Sequence, residues 1–244
     1  MSEGIVYIVG AGPGDPDLIT IKGMKILEEA DVILYDRLVR KELLDKIRDK
    51  EKIYVGREVG DDYKHQEYTN QLMLKYAREN KKVVRLKSGD PFIFGRGGEE
   101  AEFLKKNGIR FEIVPGVSSV LAAAASALIP LTHREYSSSL AIVTGHEDAM
   151  KGKESIKWEE LAKAVDTLVV FMGISNLEKI LKRLIDAGIS KDTSIAVIES
   201  ASFNEKIIYG RIDDIIDKIK EHNIKPPSII IIGKSVEVSK RLRE

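Results

Sequence analysis

Cysteine is absent from this 244-residue chain, which excludes disulfides, thiolate metal sites and cysteine nucleophiles and leaves the redox compartment open. Net charge is absent as well. The 39 basic and 39 acidic residues cancel, so no whole-molecule positive field gathers nucleic acid or coats an anionic membrane. A local basic pocket stays compatible with that balance. Long apolar runs are also missing: the best candidate, residues 117–131, is broken by three serines and a proline, whereas a spanning helix needs about twenty apolar residues. Glutamine occurs only at Gln66 and Gln71 amid abundant Lys, Glu and Ile, a bias met in heat-adapted proteins. The opening MSEGIVYIV is too short for the apolar core of a signal peptide and carries no basic leader, so a cytoplasmic protein is expected.

What is present is an alternation of short apolar runs with longer amphipathic stretches, the pattern of parallel strands joined by crossover helices. The expected class is α/β. Strands are expected at 5–9, 32–35, 52–55, 82–86 and 111–114, with helices at 18–29, 41–48, 69–79 and 99–107. Pro115-Gly116 then breaks the chain, and we expect two α/β domains, 1–115 and 116–244. The second opens with an alanine-rich helix at 119–127. Strands follow at 140–144, 167–172, 194–198, 205–210 and 228–233, with helices at 176–187 and 212–222. The strand at 205–210 is reached by too short a connection for a parallel crossover, so the second sheet is expected to be mixed and the first mainly parallel.

Four segments carry chemistry. Val9-Gly10-Ala11-Gly12-Pro13-Gly14-Asp15-Pro16-Asp17 directly follows the first strand, where α/β folds bind ligands. A dinucleotide fingerprint wants a third glycine where Asp15 stands, and Pro13 and Pro16 remove amide donors that a phosphate cradle uses. The loop suits a ligand without phosphates; a plain strand-to-helix turn is the alternative. Arg85-Leu86-Lys87-Ser88-Gly89-Asp90-Pro91-Phe92-Ile93-Phe94-Gly95-Arg96-Gly97-Gly98-Glu99-Glu100 places four glycines in ten residues after another strand, entropically expensive unless backbone must approach something closely. Glu99 and Glu100 read as first-turn residues that favour the next helix dipole. Val114-Pro115-Gly116-Val117-Ser118-Ser119 supplies either a helix N-cap or a ligand contact. His133 and His146 stand alone, without metal-ligand spacing, and no metal is assigned. Asp36 closes the second strand with Arg37 beside it, a pairing suited to proton transfer and to binding a carboxylated substrate, or to a surface ion pair.

Taken together, VGAGPGDPDLITIKG, VILYDRLV, VRLKSGDPFIFGRGGEE, VPGVSSVLAAA and IPLTHREYSSSLAIVTGH resemble the successive signatures of the tetrapyrrole methylases, over residues 6–233. Within that family YDRLV and GDPFIFGRGGEE, followed by PLTHR and VTGH, resemble the members that methylate uroporphyrinogen III rather than later corrin-ring methylases or diphthine synthase. The resemblance implies two α/β domains with the active site in the cleft between them, in a homodimer. It implies S-adenosylmethionine as methyl donor, held by Pro13, Ser88, Gly89, Asp90, Ile93, Ser118, Ser119, Met172 and Ala201. Ser88 stands where relatives often have Gly, and Ser118-Ser119 where they often have Thr-Ala. The family's proton acceptor falls on Asp36. Its donor is a lysine after a Val-Gly pair, and here Arg57 follows Val55-Gly56; arginine stays protonated, so it is a better carboxylate clamp than acid. The implied reaction is transfer of two methyl groups, to C2 and C7 of uroporphyrinogen III, giving precorrin-2. Arg37, Arg57, Arg96 and Arg134 are then expected clamps for the substrate's carboxylates. Nucleic acid and membrane partners are not expected.

Overall fold

The computed structural model describes residues 4–56, 64–146 and 155–244, and within them the chain divides into two compact units, 1–119 and 120–244. The first runs β1 (Ile5–Gly10), α1 (Ile21–Glu29), β2 (Val32–Tyr35), α2 (Lys41–Lys46), β3 (Glu51–Tyr54), α3 (Lys64–Arg78), β4 (Lys82–Lys87), α4 (Gly97–Lys106) and β5 (Arg110–Val114). Its five strands pair in parallel in the order β3-β2-β4-β1-β5. The connections after β1 and β2 move one way along the sheet and those after β3 and β4 the other. Right-handed crossovers therefore put α1 and α2 on one face and α3 and α4 on the opposite face. Strand side chains alternate between the two. Val9, Ile33, Val84 and Leu86 pack with Leu27 and Leu43, whereas Val6, Ile8, Leu34 and Val83 pack with Met73, Ala77 and Leu104.

The consequence for function is the adjacency of β1 and β4. The chain leaves their carboxyl ends in opposite directions, which opens a crevice there. Both glycine-rich loops start at this point, and the segment after β5 flanks β1.

The second unit contains most of α5 (Ser119–Ser126), then β6 (Leu140–Thr144), α6 (Trp158–Ala164), β7 (Thr167–Phe171), α7 (Leu177–Asp186), β8 (Ser194–Glu199), β9 (Lys206–Arg211), α8 (Ile215–Glu221), β10 (Ser228–Gly233) and α9 (Val236–Arg243). Its sheet, β6-β7-β10-β8-β9, is mixed: β6 and β7 are parallel, and β10 and β9 run against their neighbours. The central Ser-Ile-Ile-Ile-Ile-Gly of β10 is wholly buried. Ile230 and Ile232 face α7 and α8, while Ile229 and Ile231 face the small side chains Ala122 to Ala124 of α5, which permit close approach.

Strand positions agree with the sequence pattern to within a residue or two. Helix ends differ where local chemistry intervenes. The helix expected from residue 18 starts at Ile21, because Thr20 caps it by accepting the Gly23 amide at 3.0 Å, and Pro16–Leu18 forms a separate 3-10 turn. α3 begins at Lys64, earlier than the expected residue 69, and its first turn, KHQEY, is too polar to show an apolar period. α6 and α9 were not expected at all; each is a short helix that buries only a few side chains. Among the described residues no helix is long and apolar enough to cross a membrane.

Close backbone approach explains two glycines of the first unit. A Cβ on Gly116 would lie 2.2 Å from the Gly89 carbonyl oxygen, and one on Gly10 2.6 Å from the same atom. Gly98, in the first turn of α4, has nothing within 4 Å of an added Cβ. Gly116→Ala is expected to lower stability by about 1–3 kcal/mol, while Gly98→Ala is neutral or gains about 0.5–1 kcal/mol of helix propensity. Urea unfolding midpoints of the two variants check this; equal midpoints would contradict the close approach.

Candidate active site

The loops after β1 and β4 bind each other. The Gly12 amide donates to the Gly89 carbonyl at 3.3 Å, and the Gly89 amide donates back to the Gly12 carbonyl at 2.7 Å. The Ala11 amide is used by the Lys87 carbonyl at 2.7 Å. Asp90 pins the third segment to the second: Oδ1 accepts the Phe92 amide at 2.8 Å and Oδ2 the Gly116 amide at 3.0 Å. The close approach expected of these glycines is therefore partly an approach to one another. A phosphate cradle needs several free convergent amides, and here those of Ala11, Gly12, Gly89 and Gly116 are spent. Asp15 caps the 3-10 turn by accepting the Asp17 amide at 2.9 Å.

Beside this braced backbone the loop after β4 shows apolar surface outward. Phe92 is 59%, Ile93 39% and Phe94 44% exposed. Phe94 and Arg96 hold left-handed φ values of 51° and 58°, each costing roughly 1–2 kcal/mol. Strained backbone that presents large apolar groups at strand ends is the configuration of a ligand wall. A braced backbone that spends these four amides on itself and presents apolar walls suits a nucleoside carrying a sulfonium and an amino acid better than a dinucleotide.

Deeper on the α3/α4 face lies a charged cluster. Arg85 and Lys87 alternate with Val84 and Leu86 along β4 and point with Val83 toward α4. Their side chains are 4% exposed and that of Glu100 0%. Arg85 Nε donates to Glu100 Oε1 at 2.9 Å, and Arg85 Nη2 donates to Asp36 Oδ1 at 2.5 Å. Lys87 Nζ stands 3.0 Å from Glu100 Oε2 and 3.7 Å from Asp36 Oδ2. The contact with Oε2 is an ion pair outside regular hydrogen-bond angles, since Oε2 has no hydrogen-bond partner among the described residues. Gln66, from the first turns of α3, donates to Glu100 Oε1 at 3.2 Å.

Two sequence expectations change here. Glu99 stays on the surface as a first-turn residue, chelating Arg96. Glu100 is a first-turn residue too, but the helical turn points it inward, where two buried cations require an anion. Asp36 likewise pairs with Arg85 across the sheet rather than with exposed Arg37. Burial pushes the Glu100 carboxyl up, but Arg85 and Lys87 outweigh it and hold it below the usual carboxylate range. Lys87 is pulled below the usual lysine range, first by burial and then by Arg85, against Glu100 and Asp36.

Of the residues nominated from sequence, Pro13, Asp36, Arg37, Ser88, Gly89, Asp90, Ile93, Arg96, Ser118 and Ser119 all lie on segments leaving the carboxyl ends of the first sheet. In the second unit Met172 follows β7 and Ala201 follows β8, strands that point the same way, so both sit at one edge of that sheet. Met172 is 52% exposed and left-handed at φ 50°, and Ser200 and Ser202 flank buried Ala201 with φ 52° and 67°. Arg134 is exposed on a loop anchored by Ser137 Oγ to Thr167 Oγ1 at 2.7 Å, at the start of β7 and hence the opposite edge. Arg57 lies outside the described residues. His133 accepts the Glu135 amide and packs on Tyr136, and the His146 amide is held by Thr144 Oγ1.

The model of the family described as Tetrapyrrole (Corrin/Porphyrin) Methylases matches residues 5–216. The chain is 51% identical to the uroporphyrinogen-III C-methyltransferase of Priestia megaterium, over 97% of this chain and 100% of that protein. It is similar to the crystal structure of uroporphyrin-III C-methyl transferase from Thermus thermophilus complexed with S-adenyl homocysteine, with TM-score 0.82 and 39% identity over 96% of this chain and 94% of that one. A cobalt precorrin-4 methyltransferase aligns with TM-score 0.84 and 37% identity over 95% of both chains.

The charged cluster makes stability depend on acid. With its value depressed in the folded state, Glu100 stabilises above the ordinary carboxylate range, and that contribution is lost as pH falls through the folded value. Lys87, also depressed, adds stability only as pH rises toward the ordinary lysine range. Glu100→Gln is expected to cost about 3–5 kcal/mol near neutrality, because it leaves buried cations undercompensated, and to flatten the acid limb. Urea midpoints measured across pH decide this; a variant that tracks the parent throughout would contradict it.

Proposed function

Because this chain belongs to the tetrapyrrole (corrin/porphyrin) methylases, we propose that it methylates uroporphyrinogen III at C2 and C7 from S-adenosylmethionine, giving precorrin-2. The observation that carries the substrate is the 51% identity, over 97% of the chain, to a relative named uroporphyrinogen-III C-methyltransferase. A second reading, methylation of another precorrin, draws support from the fold shared with a cobalt precorrin-4 methyltransferase at TM-score 0.84.

In this reading Pro13, Ser88, Gly89, Asp90, Ile93, Ser118, Ser119, Met172 and Ala201 hold the methyl donor. When bound, S-adenosylmethionine supplies an electrophilic methyl group on a sulfonium and leaves as S-adenosylhomocysteine. Asp90 acts mainly on the loops, since both its oxygens already accept backbone amides. Phe92, Ile93 and Phe94 exclude water from the donor, and holding the acceptor carbon in line supplies much of the acceleration. Alkylation of the electron-rich ring leaves a cationic macrocycle that discharges by losing a proton. Asp36, 28% exposed at the rim of the cluster, takes up that proton.

The macrocycle's carboxylates meet Arg37 and Arg96. Arg96 already grips a carboxylate, that of Glu99, and exchanges it for one from the substrate in the same bidentate geometry. Arg57 serves as a substrate contact first and a proton donor second. The working form is a homodimer in the cytoplasm.

Anaerobic incubation with uroporphyrinogen III and methyl-labelled S-adenosylmethionine should add two methyl groups to the ring by mass analysis. An unlabelled ring, with the donor still bound in calorimetry, would send the search to other acceptors. Asp36→Asn is expected to lower turnover about 10²–10⁴-fold with donor affinity retained; full turnover would remove Asp36 from the chemistry.

A further inference from the structure

Asp36 does not hold its own orientation. It follows the last residue of a four-residue strand, and its hydrogen bond from Arg85 is made by a guanidinium whose other side is bound to Glu100. Glu100 in turn touches both cations and Gln66. The chain of contacts thus starts from a wholly buried carboxylate in α4, passes through two cations on β4, and ends on the carboxylate at the end of β2.

Charge arithmetic makes Glu100 necessary. Arg85 and Lys87 over Asp36 alone would be two buried cations and one anion; with Glu100 the four groups sum to zero, the condition under which nearly dry charges persist. Without it, Lys87 would shed its proton or Arg85 would turn away. Oδ1 of Asp36 is engaged by Arg85, whereas Oδ2 stands 3.7 Å from Lys87, beyond a full hydrogen bond, and keeps acceptor capacity.

Resting on the reading of Asp36 as proton acceptor, we propose that Arg85, Lys87 and Glu100 are positioning residues for proton removal, with Glu100 setting the two cations that orient Asp36 toward the alkylated macrocycle. The proton goes to Oδ2 of Asp36: a bond to hydrogen breaks on the macrocycle, its electron pair stays there and cancels the cation, and an O–H bond forms. Oδ1 stays on Arg85 throughout. The depressed value of Lys87 accords with this, since protonation of Asp36 removes one of the two anions that keep the ammonium charged. Among the described residues the charged groups that Asp36 meets in the cluster are Arg85 and Lys87 from β4, with Glu100 from α4 behind them.

A purely structural cluster would alter unfolding and leave the pH dependence of turnover in place. The test compares kcat against pH for the parent, Asp36→Asn, Lys87→Gln, Glu100→Gln and the double variant Asp36→Asn with Glu100→Gln. Each is first shown by calorimetry to bind S-adenosylmethionine; if Glu100→Gln fails that step, Glu100→Asp, which keeps the charge on a shorter arm, replaces it. The expected result is a loss of about 10- to 100-fold in kcat for Lys87→Gln and for the Glu100 variant, the scale of a small misplacement of a reacting group, with KM little changed. The pH profile of kcat for Lys87→Gln departs from the parent's, because one of the two cations facing the reacting carboxylate is gone. In the Asp36→Asn background the Glu100 change adds no further loss. Parent-like kcat and pH profiles in Lys87→Gln and Glu100→Gln, beside a slow Asp36→Asn, would overturn the positioning role alone, as would losses that multiply in the double variant. A fully active Asp36→Asn would instead overturn the proton-acceptor reading and this proposal with it, and a parent that transfers no methyl to the ring would overturn the methylation reading.

Discussion

Two cations on one face of a central parallel strand have to find anions inside the protein. That requirement organises the first unit. β4 lies between β1 and β2 and is covered on both faces, so Arg85 and Lys87 have no route to bulk water without leaving the strand. Their partners come from two other elements, Asp36 after β2 and Glu100 in the first turn of α4, and Gln66 in α3 braces Glu100 from behind. The cluster ties the start of two helices to the ends of two strands, close to where the glycine loops begin. A purely apolar β4 would fold as well or better on energetic grounds. A charged one fixes the position of Asp36.

The glycine loops are shaped by the same crowding. β1 and β4 are neighbours whose chains depart in opposite directions, and their loops meet in a short antiparallel bridge at Gly12 and Gly89. Gly116 comes so near Gly89 that no side chain fits. The backbone at the strand ends therefore spends the amides of Ala11, Gly12, Gly89 and Gly116 on itself, and what it offers a ligand is shape and apolar surface. That is the physical difference between this crevice and one built to bind a diphosphate, which would draw on convergent N–H groups and a helix N-terminus.

Left-handed backbone is found near residues nominated for the methyl donor in both units. Phe94 and Arg96 in the first, and Met172, Ser200 and Ser202 in the second, hold left-handed backbone without being glycine. Such residues persist only where the surrounding structure over-determines them. All five stand on segments that follow strand carboxyl ends, and four of them are, or adjoin, residues nominated for the methyl donor. The second unit carries its left-handed residues after strands of a mixed sheet whose buried central strand is wholly isoleucine between its terminal Ser and Gly.

Much of this was legible along the chain. Apolar runs separated by amphipathic stretches announced the α/β class, the short connection before β9 announced a mixed second sheet, and Asp15 with its flanking prolines argued against phosphates. The glycine-rich segments and Asp36 stood out as chemistry because residue type and place after a strand are local properties. α6 and α9 were not legible, since short helices that bury few side chains leave no clear period. Nor was Glu100: in sequence it is one of two adjacent acids that suit a helix start equally well. A hint existed, in that Arg85 and Lys87 interrupt a strand whose surroundings are apolar and so demand a buried anion, but which acid would answer was not written locally. Only the crossing of α4 over β1 and β4 decided that Glu99 faces water and Glu100 faces two cations, because the turn of a helix separates adjacent residues by about 100° and tertiary packing chooses which of them points inward.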